Sequence, residues 1–285
     1  MSSLEPIKEA VRDLRGVITR AITTLRAGGP DRLLFYSMRY ISWKGEFHRR
    51  VRSLPAPIAT IMYSVTRTVV RCLTRFFRIL YPQKYTDADP YKYILADPSE
   101  IEYTTGEIYS KRRGWVVDGN WDKCGEPYMQ RPYARAIKQR FVDGLSWEET
   151  ALSEQYDEPR VKKRGNEIEH LYNSIRESGY KSQYRLLRED PNTAWSSLND
   201  AMHPLANEIA VDIGRNGEIL WNLCGQHRLA IAKVLDIDRI PVQVFRRHAE
   251  WQAIRDRARR GEEIPEEFAE HPDLEDVLAD ESADR

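Results

Sequence analysis

Residues 208–248 read EIAVDIGRNGEILWNLCGQHRLAIAKVLDIDRIPVQVFRRH, and the changes of period within them decide the fold. Ile209, Val211 and Ile213 alternate with their neighbours, and so do Ile219, Trp221 and Leu223. Each run therefore reads as a strand with its apolar residues on one face. Between them, Gly214-Arg215-Asn216-Gly217 carries the Asn-Gly pair that suits a tight hairpin with both central residues at positive φ. From Gln226 the period becomes helical, with Leu229, Ile231, Ala232 and Leu235 at three- and four-residue steps. Pro241 follows, and Val242 and Val244 alternate in a further strand. This order predicts a mixed α/β fold of the α+β class, a small sheet with flanking helices.

The step at Gly225 carries a chemical conflict. His227 and Arg228 in the first helical turn set cations against the positive end of the helix macrodipole. An anion bound there resolves it, because the N–H groups of Gln226, His227 and Arg228 lack intrahelical acceptors. The sequence predicts a phosphate site: Gly225 admits close backbone approach, Arg228 forks two oxygens, and His227 donates one more hydrogen bond. The competing reading pairs Arg228 with a carboxylate and lets His227 cap a neighbouring carbonyl.

The chain has 285 residues, enough for one moderate domain with appendages or for two small ones. Cys72, Cys124 and Cys224 are far apart and odd in number, so no disulfide framework is expected and a reduced, cytoplasmic setting is predicted. Glu5, Lys8, Glu9, Arg12 and Asp13 fall where a secretory leader would be apolar, and no uncharged stretch reaches about eighteen residues. Net charge is zero but unevenly spread. Residues 1–80 hold 15 basic and 5 acidic side chains, and residues 261–285 hold 1 and 11. Ends so different in sign point to different partners, or to each other.

Residues 58–80 form the clearest helix outside the central stretch, bounded by Pro55, Pro57 and Pro82. Ile58, Ile61, Met62, Val65, Val69, Cys72, Leu73, Phe76 and Leu80 share one arc, with Arg67, Arg71, Arg75 and Arg78 opposite. Three readings follow. The helix packs its apolar arc into a core, or it lies peripherally on the inner face of an anionic membrane through the four arginines, or those arginines contact nucleic-acid phosphates.

Elsewhere, Gln83 to Glu102 reads as a linker and a short strand or turn, and Val116 to Asp122 as a strand end and polar loop. A helix is predicted over 132–147, with Ile137, Phe141, Val142 and Leu145 as its apolar face. A second is predicted over 166–179, with Ile168, Leu171, Tyr172 and Ile175 as its stripe and Gly179 ending it. The Arg-rich residues after Glu250 lead into an acidic tail read as disordered.

On these residues the chain resembles the ParB/sulfiredoxin-like superfamily. The likeness runs through the polar loop Val116 to Asp122, then Leu171-x-x-Ser174-Ile175-x-x-x-Gly179, then the hairpin feeding Gly225-x-His227-Arg228 with Ala230, Ala232 and the Ile240-Pro241-Val242 strand. It covers about residues 95–250 and treats 132–166 as an insertion, with a basic helical module at 1–82 before it and the tail at 251–285 after it. The arrangement also looks like that of uncharacterised prokaryotic, many of them haloarchaeal, proteins. The resemblance implies a nucleotide pocket for ATP or CTP, with Mg²⁺, at Gly225, Gln226, His227 and Arg228, and phosphotransfer or NTP hydrolysis on a substrate the sequence does not name. Sulfiredoxins place a catalytic Cys directly before the His-Arg pair, where this chain has Gln226, which argues against reductase chemistry. Partitioning proteins carry a DNA-binding domain after the nucleotide domain. Only an Arg-rich and acidic stretch follows here, which argues against sequence-specific DNA.

Phosphotransfer also needs a carboxylate for metal or proton transfer. Asp122 is the first candidate, both as metal ligand and as catalytic partner of His227; Asp118 and Glu208 are further metal candidates. Arg228→Ala is predicted to lower nucleotide affinity at least about tenfold without disturbing the fold. A non-enzymatic adaptor docked to a membrane or partner, and a nucleic-acid binder, remain as alternatives.

Overall fold

In the computed structural model the described residues are 55–106, 113–196, 203–222 and 224–283, with Thr19, Ile22 and Thr23. The chain divides into two compact units, Met1–Met62 and Tyr63–Arg285. The second unit thus begins inside the helix predicted over 58–80, well before residue 95, and the rest of the predicted basic module, 1–54, lies outside the described residues apart from those three.

Among the described residues eight helices and five strands alternate in a mixed α/β order. Helix α1 spans Ala56–Leu80, β1 Tyr93–Ala96, β2 Trp115–Val117, α2 Pro132–Phe141, α3 Glu158–Ser178, α4 Gln183–Glu189 and α5 Pro191–Ser196. Then come β3 Ile209–Ile213, β4 Ile219–Trp221, α6 Gln226–Val234, β5 Ile240–His248, α7 Ala249–Arg259 and α8 Glu275–Ala283. The sheet order is β1-β5-β3-β4, with β2 also paired to β5. β5 is the axis: β1 runs antiparallel to its first half, β2 parallel to its last three residues, and β3 parallel along its other edge.

The strand–helix–strand prediction for 208–248 holds, with two physical differences. All five residues of β3 are buried, not every second one, because both faces of the sheet are covered. Asp212, on the face opposite Ile209, Val211 and Ile213, meets Arg246 of β5 in a bridge of 2.8 Å with neither side chain exposed, and Asn222 donates to the same carboxylate. The hairpin also departs from two positive-φ residues: only Gly217 of the four lies at positive φ, at 85°. Gly217 N–H returns to the Gly214 carbonyl, and Gly214 N–H reaches Glu218 O. This is a turn closed by a left-handed glycine, which leaves Arg215 and Asn216 in ordinary conformations. Leu223 lies outside the described residues.

Residues 132–166, set apart from the resembled pattern as an insertion, contribute to the core. Ala134, Ala136, Ile137, Trp147, Leu152 and Val161 are buried in the same cluster as the sheet and α6. Helix α3 begins eight residues before the predicted Asn166, and Gly165 explains why the sequence hides this. Glycine inside a helix costs about 1 kcal/mol of propensity against alanine. Here, though, a Cβ at residue 165 would lie 2.6 Å from the Trp147 ring, so the missing methyl is what lets the indole pack. Gly165→Ala should therefore destabilise the fold, by about 1–3 kcal/mol, although Ala is the better helix former. A denaturant midpoint unchanged or raised would contradict that packing.

The acidic tail is ordered through most of its length. Asp273 accepts from Arg247 Nε at 2.7 Å and from Trp251 Nε1 at 3.0 Å, and Asp276 pairs with Arg255. Leu274 is fully buried and Val277 nearly so. Arginines of β5 and α7 thus meet Asp273 and Asp276 of the tail within this unit.

Helix α1 is turned opposite to the core-packing reading. Tyr63, Thr74 and Phe77 are buried, while Val65, Val69, Cys72, Phe76 and Leu80 of the apolar arc are exposed, as is Ile79 beside them. Three of the four arginines face protein: Arg71 pairs with Asp89 at 2.7 Å, Arg78 with Asp256 at 2.5 Å, and Arg67 stands over the rings of Tyr63 and Tyr91. Arg75 stays exposed. Among the described residues no helix is long and apolar enough to cross a membrane.

Candidate functional site

Helix α6 starts at a residue that only glycine can fill. Gly225 is its N-cap at φ 77°, ψ 22°, in the left-handed region, and no side chain caps it. A Cβ there would sit 2.5 Å from Ile209 Cγ1 and 2.9 Å from its Cα, so close packing on β3 demands glycine a second time. The last carbonyl available to the first turn is that of Gly225, which takes Leu229 N–H at 2.9 Å. The N–H groups of Gln226, His227 and Arg228 precede it without helical acceptors. No acid lies in the first turn, and residues 224–228 are each half-buried.

Arg228 follows the competing reading of the sequence. Its Nη1 donates to Glu208 Oε1 at 2.8 Å and its Nη2 to the Asn207 carbonyl. Glu208 is wholly buried and also accepts from Tyr180 Oη at 3.1 Å and from Gln183 N–H at 2.7 Å. Burial, and then the Glu208 charge, push the Tyr180 hydroxyl far above its ordinary value, so it stays a donor. These three donors occupy most of the carboxylate's acceptor sites and tie it to its own fold. The predicted alanine substitution at Arg228 must accordingly disturb the fold, contrary to the sequence expectation.

His227 caps no carbonyl. Its ring meets Tyr133 edge-on at 4.6 Å, and its Nε2 is buried without a hydrogen-bond partner. Burial, with Arg164 and Arg228 adding repulsion, pushes its pKa down to about 4. His203 is lowered to about 4 as well, by burial and then Arg67; it stacks on Tyr63 at 4.5 Å and accepts Leu205 N–H at Nδ1. Both are neutral when folded, and the unfolded chain binds more protons between about pH 6.5 and pH 4. Stability should hold above pH 6.5 and fall as pH drops towards 4, by up to roughly 3 kcal/mol for a histidine as buried as His203. Melting His203→Gln across that range checks it: the variant should show a shallower slope, and an identical slope would contradict the assignment.

Asp122 does not reach this corner. Both its oxygens are taken by Arg215, Nε at 2.7 Å and Nη2 at 2.8 Å, with Arg215 N–H adding a third bond at 3.1 Å. Burial pushes its carboxyl up, but these bonds override and hold it down at about 2. Gly225 packs on Ile209 at the start of β3, whereas Arg215 lies beyond Ile213 at its end. Four strand rises, about 13 Å, separate those two isoleucines alone. Asp122 and His227 are thus held at opposite ends of a strand. Asp118 is exposed in the same loop as Asp122, 3.8 Å from His248 Nε2. Among the described residues no three His, Cys, Asp or Glu side chains form a group that could hold a metal ion, the combinations of Asp118, Asp122 and Glu208 and of Cys124, Cys224 and His227 included.

An open cleft of about 620 Å³ lies at the hairpin end, with Glu100, Glu102, Asp122, Glu218 and Glu267 against a single Lys123 in its lining. That sign repels phosphate. Sequence reasoning missed Tyr180 and the anchoring role of Glu208; an acid directly before a buried strand, twenty residues ahead of an arginine in a first helical turn, is the signal that was there. Comparison with protein-family models, curated proteins and solved structures returns no match.

Proposed function

We propose that this chain binds the phosphate groups of a nucleotide at the start of α6, and that the site holds its ligand without a bond-breaking step carried by Asp122 or Glu208. The observation that carries the reading is the left-handed Gly225 followed by three N–H groups without helical acceptors, at half-buried residues with no acid in the first turn. The resemblance to ParB/sulfiredoxin-like proteins at the same residues supports it. So does His227, whose uncharged ring in that first turn has a buried Nε2 without a hydrogen-bond partner.

The role of Arg228 changes in this reading. Its charge is met by Glu208, so it positions the turn, and attraction for the anion comes from the N–H groups and the helix dipole. Two or three bonds to a charged acceptor, each contributing about 1.5–3 kcal/mol, sum to about 3–9 kcal/mol before the cost of association, which gives a site no tighter than about micromolar. With the acids held elsewhere, binding and signalling fit better than turnover, which favours the adaptor alternative for the chain as a whole.

Gln226→Glu is the discriminating variant. A carboxylate in the first turn favours the helix by about 0.3–1 kcal/mol but repels phosphate. Calorimetric titration with ATP, CTP and ADP should show binding to the wild type and at least a tenfold loss in the variant, with its melting temperature maintained. Equal binding by both proteins would remove the corner from the site.

A further inference from the structure

We infer that the outward face of α1, from Val65 to Leu80, docks on an anionic lipid surface by its apolar side chains. The inference is independent of the nucleotide reading. Val65 is 57% exposed, Phe76 55%, Ile79 80% and Leu80 52%. Val69 and Cys72 fill the gaps at helical spacing, giving one continuous stripe. A contiguous apolar stripe on a surface helix marks an interaction site, where single exposed apolar residues do not.

The geometry also explains why the stripe is left outside. The opposite face is already satisfied: Arg71 by Asp89, Arg78 by Asp256, Phe77 by stacking on Tyr85, and Arg67 over Tyr63 and Tyr91. The arginines therefore fix the helix to its own unit and do not form the membrane-binding face. The apolar arc is what remains for a partner. Rotating it inward would strand two ion-paired guanidinium groups.

Charge and area choose between occupants. No Asp or Glu occurs between Ala56 and Leu80, and exposed Arg75 borders the stripe, three residues after Cys72 and four before Ile79. A second copy would bring Arg75 against an acid-free, cationic helix, and like charges repel. The stripe is also narrow: fifteen rises of about 1.5 Å by a width near 10 Å give roughly 230 Å², against about 800 Å² per partner in a stable interface. A bilayer interface needs no matching pocket. It accepts a helix lying in its plane with the apolar face sunk about 5–10 Å, and anionic headgroups attract the bordering arginine.

The test is co-sedimentation of the full chain with vesicles of phosphatidylcholine alone or mixed equally with phosphatidylglycerol. The wild type should sediment with the mixed vesicles, less with phosphatidylcholine, and less again as salt rises. Phe76→Glu with Ile79→Glu should lower the partition at least about tenfold, and Arg75→Glu by a smaller factor, with circular dichroism and melting unchanged because all three side chains are exposed. Failure of the wild type to bind the mixed vesicles overturns the inference, as does equal binding by the double variant. A wild-type dimer in light scattering that the double variant dissolves would give the stripe to a second copy instead.

Discussion

Glu208→Ala should destabilise the protein by about 3–5 kcal/mol, among the largest single effects the structure supports. The carboxylate lies just before the start of β3 with no exposed side-chain area and serves donors from three elements: Arg228 of α6, Tyr180 after α3, and the N–H of Gln183 opening α4. Removing it leaves a guanidinium almost out of solvent with only neutral acceptors, the Asn207 carbonyl and a long contact to Tyr180 Oη, and leaves the Tyr180 hydroxyl and the Gln183 N–H without their acceptor. Arg228→Ala should cost nearly as much, for the mirror-image reason. In a double-mutant cycle the two losses should be far from additive, because the second substitution removes a charge that the first has already stranded. Denaturant unfolding reads this directly. A Glu208→Ala midpoint close to that of the wild type would mean that the pair is solvated and that α6 is not anchored through it.

Asp273→Ala should be comparably severe, and it tests a part of the chain that its sequence disguises. Asp273 is fully buried, takes two nitrogens of Arg247 and accepts from Trp251 Nε1. Burial works against its ionisation, but Arg247 and Arg255 overcome that and keep it far below the ordinary carboxylate range. Without it, Arg247 is left uncompensated inside the protein, a loss of about 3–5 kcal/mol. Asp273→Asn should recover part, since the amide oxygen still accepts one bond while the charge is missing. The same substitutions should expose the segment that carries Leu274 and Val277 to limited proteolysis. Unchanged stability and protease resistance would show that the tail packs independently of Arg247.

What the sequence revealed follows from which forces leave a local trace. The period change at Gln226 and the positions of β3, β4, α6 and β5 were legible because alternation and helical spacing are imposed by backbone geometry residue by residue. Gly225 was legible for the same reason: a left-handed cap and contact with Ile209 leave no other choice. Ion-pair partners were not legible. Asp212 with Arg246, Arg247 with Asp273, and Asp122 with Arg215 join residues from 26 to 93 positions apart, and nothing in the composition of either neighbourhood names the other. Two signals were actively misleading. Gly165 looks like a break but makes room for Trp147, and the acids after Gly261 look disordered only until the arginines they meet are known. Helix α1 inverted the usual rule because its arginines found acids and aromatic rings within the unit, which left the apolar side outward.

For the site itself, the sequence located the corner and misassigned its parts. Gly225, Gln226 and His227 remain together at the helix start, Arg228 turns back to hold Glu208, and Asp122 is clamped at the far end of the sheet. The reading of phosphate binding thus rests on backbone amides more than on side chains.

The most direct test is to follow the backbone amide resonances of Gln226, His227 and Arg228 while ATP or CTP is added to isotope-labelled protein. Phosphate hydrogen bonding should move these amides downfield in a saturable way, and the His227 ring should titrate nearer neutrality in the complex than alone. Saturable shifts confined to Glu100, Glu102, Lys123 and their neighbours in the acidic cleft, or no saturable shift anywhere, would contradict the account.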